Sequence, residues 1–388
     1  MKVAFDSWVL ASRLRHHGTY VYAQNLIAQF KSIAKVRPDV KFCLFTSPGA
    51  ANDAGSIEPG DGFEILRTGL LAKDRLWRLG GVSLAAARAQ ADLIFSPTSS
   101  ILPLGGVPVV CTIHDVTPIV MPSHSRKVTW LLRSLLWWSC RNSRAIITDS
   151  EWSKKDLMRI YGLPESKISV VYLGYDRVLF NDSPPNPALQ QKLLDRLGIR
   201  RPYLLHHGVI QPRKNLKRLI EAYRLALSRN RNLDFDLVLA GPLGWEYEEI
   251  VAAARDGAGQ PGRVILTGAL DDSDLAMLIK TASLVVIPSL YEGFCLPMVE
   301  AMACAVPVIV AQASCLPEIS GGVLKYFDPQ SVYEIAACIE QVLESGDVRK
   351  DLANRGKERA AGFSWQRCAE ETLDVLTRHS NSSGRRES

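Results

Sequence analysis

Short apolar runs alternate with segments of helical periodicity along the whole chain, which predicts parallel sheets covered by helices on both faces. In the first half the strand-like runs are 3–5, 41–45, 93–95, 107–113, 145–148 and 168–172, with helical periodicity over 19–36, 126–141 and 151–161. The pattern then restarts with runs at 203–206, 235–240, 264–267, 284–287, 306–310 and 324–327, and helices are expected over 331–345 and 347–360. Residues 181–187, Asn-Asp-Ser-Pro-Pro-Asn-Pro, interrupt the pattern most strongly and read as an interdomain linker. No sequence repeat links the two halves, so they are alike in architecture only. Each strand ends in small, polar or turn-forming residues, and those ends should form a rim that can accept a ligand.

The length of 388 residues fits two domains better than one core. With 47% hydrophobic and 22% charged residues, the chain is neither disordered, collagen-like nor a coiled coil. The net charge of +6 is unevenly placed. Residues 1–180 carry 22 Lys and Arg against 14 Asp and Glu, and the remainder carries 24 against 26. The basic half should therefore meet something anionic, a membrane surface or a phosphorylated substrate. Nucleic acid is disfavoured, because no basic run with interleaved aromatics, zinc-finger spacing or RNP-like motif occurs. The eight cysteines, at 43, 111, 140, 295, 304, 315, 338 and 368, form no CxxC pair and read as free thiols in a reducing compartment. Met1 to Asp6 reaches a charge too soon for a signal peptide, and no stretch approaches the roughly 18 apolar residues of a membrane span. A cytoplasmic location is expected, and the tail from His379 onward is expected to be disordered.

Two segments of the second half carry chemistry. The strand at 284–287 runs into Pro288-Ser289-Leu290-Tyr291-Glu292-Gly293-Phe294-Cys295-Leu296-Pro297 and then into an apolar helix containing Glu300. Pro297 suits a first helical turn, and the amides near Leu296 would favour phosphate. Glu300, expected in the first turn, and Glu292, just before it, can contact opposite ends of a nucleotide sugar. The plainer alternative makes Glu300 a dipole partner and Glu292 a surface loop residue. The strand at 203–206 is followed by His207-Gly208-Val209-Ile210-Gln211-Pro212-Arg213-Lys214-Asn215-Leu216. There Arg213 and Lys214 offer a forked guanidinium and a compact ammonium to a pyrophosphate; a solvated basic turn is the alternative.

The segment PSLYEGFCLPMVE (288–300) resembles the Glu-x7-Glu signature of retaining glycosyltransferase family 4, and GVIQPRKNL resembles its donor-phosphate turn. The likeness continues in order through DSEWSKKDL (149–157), KISVVYLGYD (167–176), LVLAGPLGW (237–245), VILTGALDDSDL (264–275) and SCLPEISGG (314–322), covering roughly residues 2–375. It implies an α/β GT-B fold, two Rossmann-like doubly wound domains facing a central cleft. The divisions expected are an acceptor domain over 1–180, a nucleotide-sugar donor domain over 188–360, a helix at 361–378 returning to the N-terminal domain, and the tail at 379–388.

By the same resemblance, Glu300 should bind the ribose hydroxyls, and Glu292, with the backbone of Gly293, Phe294, Cys295 and Leu296, the transferred sugar. Arg213 and Lys214, in the turn after Gly208, should neutralise the departing pyrophosphate. Gly268 should line the base pocket, His114 should face the donor sugar, and Gly18 should approach the phosphate and acceptor. Three residues depart from the pattern: Val209 where many members have arginine, Cys295 where glycine is commoner, and His17 in the glycine loop. A thiol at 295 beside helix-start amides and cations should have a lowered pKa; an inert buried cysteine is the other reading.

The implied reaction is a retaining front-face transfer with no cofactor beyond the nucleotide-sugar donor. No metal is expected. The phosphate turn and the 288–300 block look most like mannosyltransferases of bacterial polysaccharide assembly, which makes GDP-mannose the expected donor. A UDP-sugar, or a nucleotide-binding scaffold without turnover, are the alternatives. The missing GxGxxG after a first strand argues against a dinucleotide oxidoreductase, and the Glu292 to Glu300 block against an epimerase. The acceptor is expected to be a glycan or polyprenyl-linked glycan. Residues 126–141, RKVTWLLRSLLWWSCR, read either as an interfacial helix that docks on anionic membrane or as an amphipathic helix packed on its own sheet.

Overall fold

The computed structural model describes residues 1–11, 18–46, 62–67, 80–99, 105–122, 126–256 and 262–380. The chain divides into two units, Met1–Gly174 together with the chain from Ser364 onward, and Tyr175–Phe363.

The N-terminal unit is built on β1 (Lys2–Asp6), β2 (Lys41–Thr46), β3 (Phe63–Arg67), β4 (Leu93–Ser96), β5 (Val109–Thr112), β6 (Ala145–Thr148) and β7 (Ile168–Val170). They lie in the order β3-β2-β1-β4-β5-β6-β7, and every pair is parallel. Strands β4, β5 and β6 are buried at every position, as strands covered on both faces must be. Strand β3 is absent from the apolar pattern because it is an edge strand in which only Phe63 is securely buried and Glu64 is exposed. The helix Gly18–Val36 buries Tyr22, Ala23, Leu26, Ile27, Phe30 and Ala34 at three- and four-residue spacing. Phe30 stacks on Phe42 of β2 with ring centroids 4.5 Å apart. The last helix, Trp365–His379, is capped by Ser364 and packs against this first helix.

The second unit contains β8 (Tyr203–His207), β9 (Asp236–Ala240), β10 (Val264–Gly268), β11 (Leu284–Ile287), β12 (Val308–Ala311) and β13 (Lys325–Phe327) in the parallel order β10-β9-β8-β11-β12-β13. In each unit the order turns back beside its first strand, between β1 and β4 and between β8 and β11. Such a switch point leaves a crevice outside the C-terminal strand ends.

The linker expected at 181–187 is not where the units divide. That segment lies within the second unit, held by polar contacts: Lys280 donates to Asn181 at 2.9 Å, and Lys357 pairs with Asp182. Its last two residues are a helix start, Asn186 capping and Pro187 opening the helix Pro187–Leu197. Proline and asparagine marked an N-terminus and not a boundary. Of the tail, His379 ends the last helix and Ser380 is buried, while the remainder lies outside the described residues.

Candidate donor and sugar sites

In the second unit, β8 ends at His207 and the backbone turns at Gly208, whose φ of +130° is open only to glycine. A Cβ at Gly208 would stand 3.7 Å from Lys214 Nζ, an ordinary contact, so the backbone conformation and not space calls for glycine here. The short 3-10 turn Pro212–Lys214 and the left-handed Asn215 (φ +58°) then feed the helix Leu216–Arg229. Asn215 fixes the turn by donating to the Pro329 carbonyl at 2.7 Å.

From the neighbouring strand β11 the chain runs through Glu292 to the helix Leu296–Ala303. Glu292 is buried between the two cations of the first segment: Arg213 Nη1 donates to Oε2 at 2.5 Å and Lys214 Nζ to Oε1 at 2.7 Å. Arg213 also donates to the Tyr291 carbonyl at 2.6 Å, and its own carbonyl accepts the Leu290 amide at 2.9 Å. Burial alone pushes the Glu292 carboxyl up, but Arg213 and Lys214 outweigh it and hold the acid at about 2. Glu292 is thus no surface loop residue, and Arg213 and Lys214 form no solvated turn.

Glu300 lies in the second turn of the helix and not the first, because the helix begins only at Leu296. Its Oε2 is 3.2 Å from His207 Nε2, which brings the ends of β8 and of the 288–300 block to one place. Gly268 ends β10 at φ +70°, exposed, with nothing near its Cβ position. Phe294 is buried and meets Phe363 edge-on at 5.4 Å.

Cys295 corrects the expectation of a reactive thiol. It is buried in a left-handed conformation (φ +76°) before the helix, and burial, reinforced by the Glu292 charge, pushes the thiol up to about 12. Lys214 and Arg213 oppose the rise and are outweighed.

The N-terminal unit holds the other candidates. His114 follows β5, its Nδ1 2.7 Å from Asp149 Oδ2 and its Nε2 3.0 Å from the Pro97 carbonyl. Both partners are acceptors, so a ring that fills both bonds carries two protons. Burial works against that charge, but Asp149 and the Pro97 carbonyl outweigh it, and the histidine pKa is raised. Tyr22 meets the ring edge-on at 4.9 Å and bonds Thr112 at 3.0 Å. Ser153 donates to the His114 carbonyl at 3.1 Å. Gly18 is the first residue of its helix, and His17 lies outside the described residues. The sequence pattern assigned no role to Asp149 or His207, although each stands beside a strand end, Asp149 just after Thr148 and His207 closing β8. That position was the available signal.

Residues 191–359 match the family model described as "Glycosyl transferases group 1", and residues 39–179 match "Glycosyltransferase Family 4". O-antigen chain mannosyltransferase B of Escherichia coli is 32% identical over 294 residues, 75% of each chain. Serotype-specific mannosyltransferase WbdA of Escherichia coli is 33% identical over 189 residues, which are 48% of this chain and only 23% of that larger protein. Among solved structures, Anabaena HepE in complex with UDP and glucose superposes with a TM-score of 0.72 over 97% of this chain and 99% of its own, at 21% identity. Two Rossmann-like domains with parallel sheets are the GT-B class of fold. The chain belongs to glycosyltransferase family 4 and is a glycosyltransferase.

Proposed function

We propose that this enzyme moves mannose from GDP-mannose to a growing cell-surface polysaccharide, with retention of anomeric configuration and without a metal. The observation that carries the reading is the Arg213–Glu292–Lys214 cluster beside the paired strand ends. Arg213 and Lys214 place two cations, partly offset by Glu292, where a leaving nucleoside diphosphate needs positive charge, in a largely buried setting that strengthens charge stabilisation. In this reading Glu300 takes the ribose hydroxyls, Gly268 lines the base, and Glu292 with Gly293 to Leu296 takes the sugar. Gly18 and His114 serve the acceptor and the transferred sugar. The C1–oxygen bond to the diphosphate breaks, the acceptor oxygen bonds C1 on the same face, and the acceptor proton passes to the departing phosphate. Mannose is supported by the names of the relatives, both mannosyltransferases. Thermal shift with GDP, UDP and ADP, followed by transfer assays in EDTA, tests the proposal. Selective stabilisation by GDP, lost in Glu300→Ala, is expected. A selective UDP response would replace the donor by a UDP-sugar.

We also propose that the acceptor is lipid-linked and reached by peripheral contact with anionic membrane. The helix Arg126–Asn142 buries Thr129, Leu136, Ser139 and Cys140 and turns Trp130 (70% exposed), Leu131, Trp137 and Trp138 to the opposite face. Arg141 lies 5.5 Å from the Trp137 ring centroid. Three exposed tryptophans and flanking arginines on a basic half of the chain suit a membrane interface. Among the described residues no helix is long and apolar enough to cross a membrane.

A further inference from the structure

We infer that His207 is the positioning residue of Glu300, setting the carboxylate that takes the nucleotide ribose; the inference rests on the donor reading proposed for that carboxylate. His207 closes β8 and is almost wholly buried, with Nε2 3.2 Å from Glu300 Oε2 across 93 residues of sequence. An ionised carboxylate can only accept, so the proton of this bond sits on Nε2 and the ring is held in one tautomer. Nδ1 then has no hydrogen-bond partner among the described residues.

A buried nitrogen without a partner is a cost that an apolar side chain would avoid, and Tyr203 and Leu205 on the same face of β8 show that apolar bodies fit there. The adjacent His206 also leaves one ring nitrogen, Nε2, without a hydrogen-bond partner among the described residues, but its other nitrogen meets only backbone. Its Nδ1 lies 3.0 Å from the Val286 carbonyl of β11, and burial with the Lys214 charge brings its pKa down to about 3, leaving it a neutral packing group. Of the two, His207 is the one that meets a carboxylate of the candidate site. Glu300 is the more exposed partner, and His207 engages only Oε2. The imidazole pins one carboxylate oxygen and leaves the other to meet a diol. A flexible three-torsion side chain is thereby held in one arrangement before the nucleotide arrives, which removes an ordering cost from binding.

The test is calorimetric titration of the full chain with GDP, UDP and ADP and with the 2′,3′-dideoxy form of whichever binds, in wild type, His207→Phe, His207→Gln, Glu300→Ala and the His207→Phe/Glu300→Ala pair. Loss of a hydrogen bond to a charged group predicts about tenfold weaker binding of the ribonucleotide in His207→Phe. His207→Gln, which keeps an N–H donor, should recover most of the loss. The dideoxy nucleotide should bind wild type and His207→Phe alike, and the double variant should bind no more weakly than Glu300→Ala. Unchanged ribonucleotide binding in His207→Phe, with Glu300→Ala weakened, would overturn the inference and leave the ribose assignment standing. Equal weakening of ribo and dideoxy forms would make His207 merely structural. Wild-type affinity in Glu300→Ala, or no nucleotide binding by wild type, would remove the donor reading itself and the inference with it.

Discussion

Glu292 carries the negative charge shared by Arg213 and Lys214; the carboxylate and Lys214 are buried and Arg213 is half-buried. Breaking a buried ion pair from one side costs about 3–5 kcal/mol, since a charge is left uncompensated. Glu292→Gln should lower the unfolding free energy by about that much, and added pyrophosphate should recover part of it by supplying the lost charge. Because the folded carboxyl titrates at about 2, below its ordinary 4.5, its stabilisation is complete above about pH 4.5 and is lost as the pH falls toward 2. Calorimetric melting across that window should show a steep wild-type decline and a flatter one for the variant; parallel declines would mean the cluster does not stabilise the fold. Cys295 teaches the complementary lesson. Helix-start amides and two nearby cations argued for a thiolate, but burial and a carboxylate that already occupies those cations decide the matter.

At the scale of elements, the helix Arg126–Asn142 presents its aromatic side outward, so lipid contact through it depends on ring insertion as well as on charge. Trp130→Ser with Trp137→Ser should reduce sedimentation with phosphatidylglycerol vesicles several-fold and leave melting unchanged, because neither ring is buried. Loss of vesicle binding accompanied by a lowered melting temperature would point to packing instead. In the N-terminal unit the chain leaves at Gly174 beside the point where it returns at Ser364. A Cβ on Gly174 would lie 2.1 Å from the Trp365 nitrogen and 2.5 Å from the Ser364 carbonyl carbon. Neither backbone atom can rotate aside, so Gly174→Ala should destabilise this unit at the upper end of the about 1–3 kcal/mol typical of overpacking, or beyond it. Urea unfolding followed by tryptophan fluorescence would measure the loss.

For the molecule as a whole, the strands with continuous apolar runs and both chemical segments could be read from the sequence, because buried parallel strands and strand-to-helix turns are local patterns. The donor turn Gly208 to Leu216 and the block Pro288 to Glu300 each show their chemistry within about a dozen residues. Strand β3 could not be read, since an edge strand with one exposed face needs no apolar run. The break at 181–187 misled because Asn186 and Pro187 serve equally well in a linker and at a helix start, and only contacts with Lys280 and Lys357 assign the segment to the second unit.

Residue order alone thus determined the α/β class, the family and the identity of the charged groups, all of which depend on short-range periodicity and motif. Tertiary structure decided which groups meet. Glu292 between Arg213 and Lys214, Glu300 with His207 and His114 with Asp149 join residues 35 to 93 positions apart. The order of strands in a parallel sheet sets these pairings, and at Glu292 and His114 the partners so brought together outweigh burial; neither is written in any local stretch of chain.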